Sequence, residues 1–337
     1  MIGRAELLSS LGPCALGKVG LQALSAKRST RDRRGMSAPI VVGVDAGRGS
    51  GDAFFWALSE ARRRQTGVLL LHAADAWDAE VAAMSGLTVP MRAAGLIRAL
   101  RLVANRLAPD VRTMSQVAGG AAADALVEAS HRAAMLVIGS RGRAGLTESA
   151  LGSVSQRVVA HAHCPVVVVP PGGARMVTRR IAVGVDDLAA GHPVLDFAAA
   201  HAQRCGAILC LLHAHGATSS ESAQEQLRHA AAHVHWHYPD VLVERAAVPE
   251  EAVAALVAEA ARSDLLVLGC RHTDEEFGCR IGAVPASVLP QVSCPVTLVS
   301  RELSTDVDSV DQSRQRSRLL HRTGCAERID YPAVALD

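Results

Sequence analysis

Along most of this chain, short aliphatic runs alternate with longer stretches in which apolar residues recur every three or four positions. Ile40-Val41-Val42-Gly43-Val44, Leu69-Leu70-Leu71, Leu136-Val137-Ile138 and Val166 to Val169 are continuous apolar runs, the signature of strands buried on both faces. The pattern predicts strands near 40–44, 67–73, 110–117, 134–139 and 165–169, and helices near 51–65, 86–107, 120–131 and 152–162. Aliphatic strands alternating with amphipathic helices predict an α/β fold whose parallel sheet is wound on both faces.

The same pattern occurs twice. Ile40-Val41-Val42-Gly43-Val44-Asp45 returns as Ile181-Ala182-Val183-Gly184-Val185-Asp186, and Leu69-Leu70-Leu71-His72-Ala73 returns as Cys210-Leu211-Leu212-His213-Ala214. Asp45 and Asp186, like His72 and His213, lie 141 positions apart. Beyond them the offset is 130: Pro109-Asp110-Val111 matches Pro239-Asp240-Val241, Leu136 to Gly139 matches Leu266 to Gly269, and Cys164-Pro165-Val166 matches Cys294-Pro295-Val296. Constant offsets across five landmarks establish a duplication. They predict two tandem doubly wound domains, each a five-stranded parallel sheet with about four helices. The change of offset from 141 to 130 means that the second copy lacks 11 residues between His213 and Pro239. The gap falls where the first copy has its second helix, so that helix is expected to be shorter in the second copy.

Composition narrows the class. Hydrophobic residues make up 49% of the 337 and aromatics only 3%, so the cores must be built from Ala, Val and Leu. A net charge of +2 gives no global attraction to nucleic acid or an anionic membrane. No apolar run is long enough to span a bilayer, and a cytoplasmic location is the simplest expectation. The eight cysteines are scattered with no CxxC pair, and read as reduced thiols. Residues 1–37 form a mixed apolar and basic extension, expected to be a disordered arm or an overcalled start, with Met36 as the alternative beginning. The first domain is then expected over 38–171, a linker over 172–178, the second domain over 179–301 and a disordered polar tail over 302–337.

In open parallel sheets, ligands sit beyond the carboxyl ends of the strands. Asp45 follows the first strand; Gly139-Ser140-Arg141-Gly142-Arg143-Ala144-Gly145 follows the fourth, and Gly152-Ser153-Val154 opens the last helix. Glycines at 139, 142 and 145 permit close backbone approach to a ligand. Gly152 and Ser153 fall at a helix N-terminus, where amide groups and the helix dipole favour an anion. The Ser153 hydroxyl can donate to phosphate or help to hold Mg²⁺, and Arg141 and Arg143 add positive charge. Asp45 does not suit a phosphate cradle and is expected to face ribose hydroxyls or the base. The alternative is that the glycines only make tight turns.

Gly139-x2-Gly142-x9-Gly152-Ser153, with Val44-Asp45 and the closing His163-Cys164-Pro165-Val166 strand, resembles the ATP-binding signature of the universal stress protein family. The resemblance covers about 38–300 and implies an adenine nucleotide alpha hydrolase-like fold. It implies that Gly43 to Asp45 line the nucleoside, that Ala73 meets adenine through its backbone, and that 139–145 with 152–154 cradle the triphosphate. ATP with Mg²⁺ is the implied ligand and nucleotide-dependent regulation the implied role. A nucleotide-free scaffold and a slow ATPase or autophosphorylating enzyme are the alternatives. One departure is Asp45-Ala46-Gly47, where relatives commonly carry Asp-Gly-Ser. No activated nucleophile with its base is legible, so no catalytic residue is assigned. Family members pair through the last strand, which implies that Val166 to Val169 meets Val296 to Val299 within the chain; a homodimer of two such chains stays open, and protein partners are unassigned.

The second copy reads as degenerate. Its offset places His272 where the first has Gly142, Ala283 where it has Ser153, and Asp274-Glu275-Glu276 where it has Ala144-Gly145-Leu146. A side chain and three carboxylates there oppose a polyanion. Pro285 enters the first turn of the last helix. His229 and His233 have the spacing of a helical metal pair, but no Cys or acidic residue nearby makes a convincing set, so a solvated helix face is expected. His72 and His213 read as core or cleft-wall residues, and Arg62-Arg63-Arg64 as an exposed helix face.

Overall fold

Val, Ile and Leu build the strands, whose side chains alternate between the two faces of the sheet. Ile40, Val42 and Val44 enter the core on one face, while Val41 enters the core on the other. The computed structural model describes residues 37–45, 48–74, 88–140, 151–173, 178–186, 192–216, 219–270 and 281–300. The first half runs β1 (Ile40–Gly43), α1 (Arg48–Arg64), β2 (Val68–Ala74), α2 (Val89–Leu107), β3 (Thr113–Gly119), α3 (Ala122–Ser130), β4 (Met135–Gly139), α4 (Ser153–His161) and β5 (Val166–Val169). The second runs β6 (Arg180–Gly184), α5 (His192–Cys205), β7 (Ile208–Ala214), α6 (Ser220–His237), β8 (Val243–Val248), α7 (Ala252–Ala260), β9 (Leu265–Cys270), α8 (Ala283–Val288) and β10 (Val296–Ser300).

The strands form one ten-stranded sheet in the order β3-β2-β1-β4-β5-β10-β9-β6-β7-β8. Within each half every pairing is parallel. The halves join where β5 and β10 pair antiparallel, with Val168 opposite Val296, Val167 opposite Thr297 and Val166 opposite Leu298. Helices α1, α2, α5 and α6 supply the core on one face, and α3, α4, α7 and α8 the core on the other. Both cores run across the join without interruption.

The second copy's missing residues do not come out of its second helix. Helix α6 has 18 residues and α2 has 19. The loss is in the connection instead: fourteen residues, 75–88, separate β2 from α2, and five, 215–219, separate β7 from α6. A helix packed on the sheet must cover the strands beneath it, so its length is constrained. The third strand also begins at Thr113 rather than near 110, because 109–111 form a turn.

The seam obeys an approximate two-fold axis. Val167 and Thr297 are equivalent positions of the two copies, 130 apart, and they face each other across β5 and β10. Glu60 and His201 are likewise equivalent, 141 apart, and they meet where α1 packs on α5, with His201 Nδ1 3.1 Å from Glu60 Oε1. Nε of Arg64 lies 2.6 Å from the same oxygen and Arg63 lies 3.6 Å from the other. Arg64 is therefore only 13% exposed and departs from the expected solvated face, while Arg62 and Arg63 are exposed as expected. The His201 ring lies parallel to Trp56 and Phe197, with centroids 6.3 Å away in each case.

Burial alone would raise the Glu60 carboxyl, but the charge and hydrogen bond of His201, then Arg64 and Arg204, hold it well below the usual carboxylate range. Burial pulls His201 down, yet the charge and hydrogen bond of Glu60 together with Cys205 outweigh it and raise the ring above its ordinary value. Two consequences follow for pH. The Glu60 contribution is present above its ordinary value of 4.5 and lost as pH falls through its lowered folded value. The His201 contribution is full below 6.5 and lost as pH rises through its raised folded value.

Glu60→Ala is expected to cost about 3–5 kcal/mol by urea denaturation, because it strands buried positive groups. The stability advantage of the native protein over a Glu60→Gln/His201→Gln double variant should be largest between pH 4.5 and 6.5 and shrink on the alkaline side. Thr297 is fully buried and its hydroxyl has no hydrogen-bond partner among the described residues. Thr297→Val keeps the shape and removes that hydroxyl, and should raise the midpoint of unfolding by the equivalent of about 1 kcal/mol.

Candidate functional site

In the first half, β1 stands between β2 and β4. The chain leaves β1 through α1 on one face and reaches β4 through α3 on the other, so the strand order reverses beside β1 and opens a crevice at the carboxyl ends. Strand β1 stops at Gly43, opposite Leu71, while β2 continues to Ala74, which places Ala73 past the end of β1. Gly43, Asp45, Ala73, Gly139, Ser140, Gly152, Ser153 and Val154 all lie at this end of the sheet or at the N-terminus of α4. Arg141, Gly142, Arg143 and Gly145 fall within 141–150, outside the described residues, as do His272 and the acids 274–276 of the second half.

The neck of the 141–150 segment is closed by backbone. The Ser140 N–H donates to Val169 O at 2.9 Å and the Gly152 N–H to Ser140 O at 3.1 Å. Gly152 is the N-cap of α4, with φ −61° and ψ 149°, and supplies no side chain to accept from the helix amides. The first-turn amides of an α-helix have no acceptor within the helix, and here Ser153 and Val154 are exposed. One residue further, the buried Ser155 hydroxyl donates to Gly139 O at 3.0 Å and pins α4 to the end of β4. Ser155 was not among the expected site residues; only its place one turn into the last helix pointed to it.

Gly139 has a different reason to be glycine than ligand approach. A Cβ there would sit 2.8 Å from both the carbonyl carbon and the oxygen of Gly49, so it is the backbone of α1 that comes close. At Gly43 a Cβ would press on Ile138 and Leu126 at 3.3 Å, and at the equivalent Gly184 on Leu268 and Leu256 at 3.0 and 3.2 Å. The base of the crevice is therefore built alike in both halves. His72 Nδ1 lies 2.8 Å from Val44 O, and His213 Nδ1 lies 2.7 Å from Val185 O. A carbonyl can only accept, so Nδ1 carries the proton in each, and both rings hold the turn that presents Asp45 or Asp186. Ser50 adds a hydrogen bond from its hydroxyl to Asp45 O at 2.7 Å.

Above that base the halves part. Ala283 stands where Ser153 does, and Pro285 where Ser155 does, so the tether from the last helix to the fourth strand is absent from the second half. Its last helix, α8, has six residues where α4 has nine. Glu251, the N-cap of α7, turns its carboxylate toward Gly216 at the end of β7, 3.4 Å from where a Cβ would be; the first half has Ala121 in that place. The histidines of α6 have acidic partners that the spacing argument did not foresee. His229 Nε2 is 2.7 Å from Glu225 Oε1, while His233 Nε2 is 2.8 Å from Asp196 Oδ1, so the two rings turn to different carboxylates. His233 also stacks on His192, ring centroids 4.4 Å apart.

Similarity to known proteins follows the same two-part division. The sequence model described as the universal stress protein family matches residues 36–170 and, separately, 178–300. Universal stress protein Rv2623 of Mycobacterium tuberculosis is 29% identical over 299 residues, covering 80% of this chain and 98% of its own. Universal stress protein Rv2005c of the same organism is 28% identical over 293 residues, covering 78% and 97%. Among solved structures, a universal stress protein from Archaeoglobus fulgidus superposes with a TM-score of 0.59 at 16% identity, covering 79% of this chain and 97% of that one. Among the described residues no helix is long and apolar enough to cross a membrane.

Two glycine substitutions separate packing from freedom. Gly139→Ala drives a Cβ into the Gly49 backbone and is expected to cost about 1–3 kcal/mol in chemical denaturation. Gly51→Ala, in α1 with nothing within 4 Å, should instead stabilise the protein by up to about 1 kcal/mol.

Proposed function

The chain belongs to the universal stress protein family, and we propose that it holds ATP, with Mg²⁺, in its first half only and acts as a nucleotide-dependent regulator of the stress response in the cytoplasm. The observation that carries this reading is the convergence of an uncapped, exposed helix N-terminus at Gly152-Ser153 with the strand ends at Gly43-Val44-Asp45, Ala73 and Gly139-Ser140. Amide groups and helix dipole suit phosphate, the Ser153 hydroxyl suits phosphate or Mg²⁺, and Asp45 suits ribose. Arg141 and Arg143, on the segment that springs from this neck, would bring positive charge to the phosphates.

Three departures support restricting the nucleotide to the first half. Ala283 removes the hydroxyl, Pro285 removes the tether, and the Glu251 carboxylate faces the end of β7. A carboxylate at that end of the crevice repels a ligand that carries several negative charges. A second reading, in which the second half offers a surface to a protein partner, rests on Trp236, 83% exposed on α6, and Leu242, 70% exposed just before β8.

The protein purified from its host should retain about one ATP per chain, measured by extraction and chromatography. Gly142→Glu and Ser153→Ala should each lower the retained amount, the first to near zero. Retention undiminished in Gly142→Glu would overturn the assignment.

A further inference from the structure

The seam holds a thiol unlike the others among the described residues. Cys205 closes α5 one turn beyond His201, at the i, i+4 spacing that sets the thiol beside its ring. The ring in turn meets Glu60 at 3.1 Å, and Glu60 is held by Arg64 at 2.6 Å. Thiol, imidazole and carboxylate thus form a relay from a half-buried sulfur to a fully buried acid. Trp56 and Phe197, parallel to the ring, fix its plane. A nucleophile, a base that handles its proton and an acid that orients the base is the general form of an activated nucleophile.

The remaining described cysteines, Cys164, Cys210, Cys270 and Cys294, are all buried. Burial pushes the Cys164 and Cys294 thiols up to about 12, and burial with the nearby Glu259 pushes Cys210 up to about 11. Burial acts upward on Cys205 too, and so does the Glu60 charge, but the His201 hydrogen bond and charge, with Arg63 behind them, outweigh both and lower the thiol below its ordinary value. Reactivity follows thiolate character and access together, and both fall on Cys205.

We propose that Cys205 is a redox-reactive site for small hydroperoxides, with His201 as proton donor and Glu60 as the positioning residue for His201. The thiolate sulfur attacks the terminal peroxide oxygen; the S–O bond forms as the O–O bond breaks. Sulfur is oxidised by two electrons to a sulfenic acid, and the peroxide is reduced to an alcohol, or to water when it is hydrogen peroxide. The proton for the departing oxygen comes from the His201 imidazolium. His201 is then neutral, Glu60 keeps Arg64 but loses the imidazolium across the join, and an event at a half-buried sulfur is felt where the two halves meet.

The test uses the full chain. Iodoacetamide labelling of Cys205, followed by peptide mass spectrometry across pH, should reach half its plateau rate at a lower pH than glutathione, an ordinary thiol. After hydrogen peroxide, dimedone should mark Cys205, and Cys205→Ser should lose that adduct with an unchanged circular dichroism spectrum. Glu60→Gln should move the labelling midpoint upward, because the imidazolium that Glu60 sustains is lost; removing the Glu60 charge without that loss would move it downward and count against the positioning role. A Cys205 midpoint at or above that of glutathione, or peroxide treatment that leaves Cys205 unmarked, overturns the proposal. Should Glu60→Gln fail to fold, the profile of the unaltered protein decides alone.

Discussion

The antiparallel pairing of β5 with β10 is the contact on which the rest of the molecule depends. Each half ends in a largely apolar strand, Val166–Val169 in one and Val296–Ser300 in the other, and both are buried. An apolar edge strand left open templates association with any other strand. Joined to each other, the two edges disappear into the middle of a ten-stranded sheet, and both helical layers become continuous over the join. The less apolar strands, β3 and β8, are then the ones left at the two ends.

That join has a price in specificity devices rather than in area. On a two-fold axis, equivalent residues confront each other, so any position on the axis faces its own copy. Here those positions carry Val167 against Thr297 and Glu60 against His201. The first mismatch leaves a hydroxyl without a partner; the second supplies opposite charges where like charges would otherwise be buried together. The same divergence extends to the crevices, whose bases match at Gly43 and Gly184 and whose upper parts do not.

Much of this was legible in the pattern of apolar positions. The strands, the helices, the parallel sheet and the duplication follow from continuous aliphatic runs and constant offsets, because burial on two faces leaves a strong signal. What was not legible depended on which backbone approaches which. Gly139 looked like a ligand glycine, yet its neighbour is Gly49, on a helix 90 positions earlier. The missing residues looked like lost helix, yet the helix that must cover its strands was kept and fewer residues stand between it and the strand before it. Arg64 looked solvated because nothing local marks Glu60 as buried. One signal did exist: the offset of 141 puts Glu60 and His201 in register, and a pair of opposite charge at equivalent positions of a duplicated fold is a candidate for meeting on the axis.

The Glu60 and His201 pair also bears on the history of the chain. In a dimer of identical copies, both positions must change together or stay as they are, since one residue serves both sides. Fusing the copies released them to change separately, and here they have. A first half paired with itself would now bury Glu60 against Glu60, and a second half His201 against His201. Neither half is interchangeable with the other: each carries at the join the charge that its counterpart needs, so the two fit as an ordered pair and not as two of a kind.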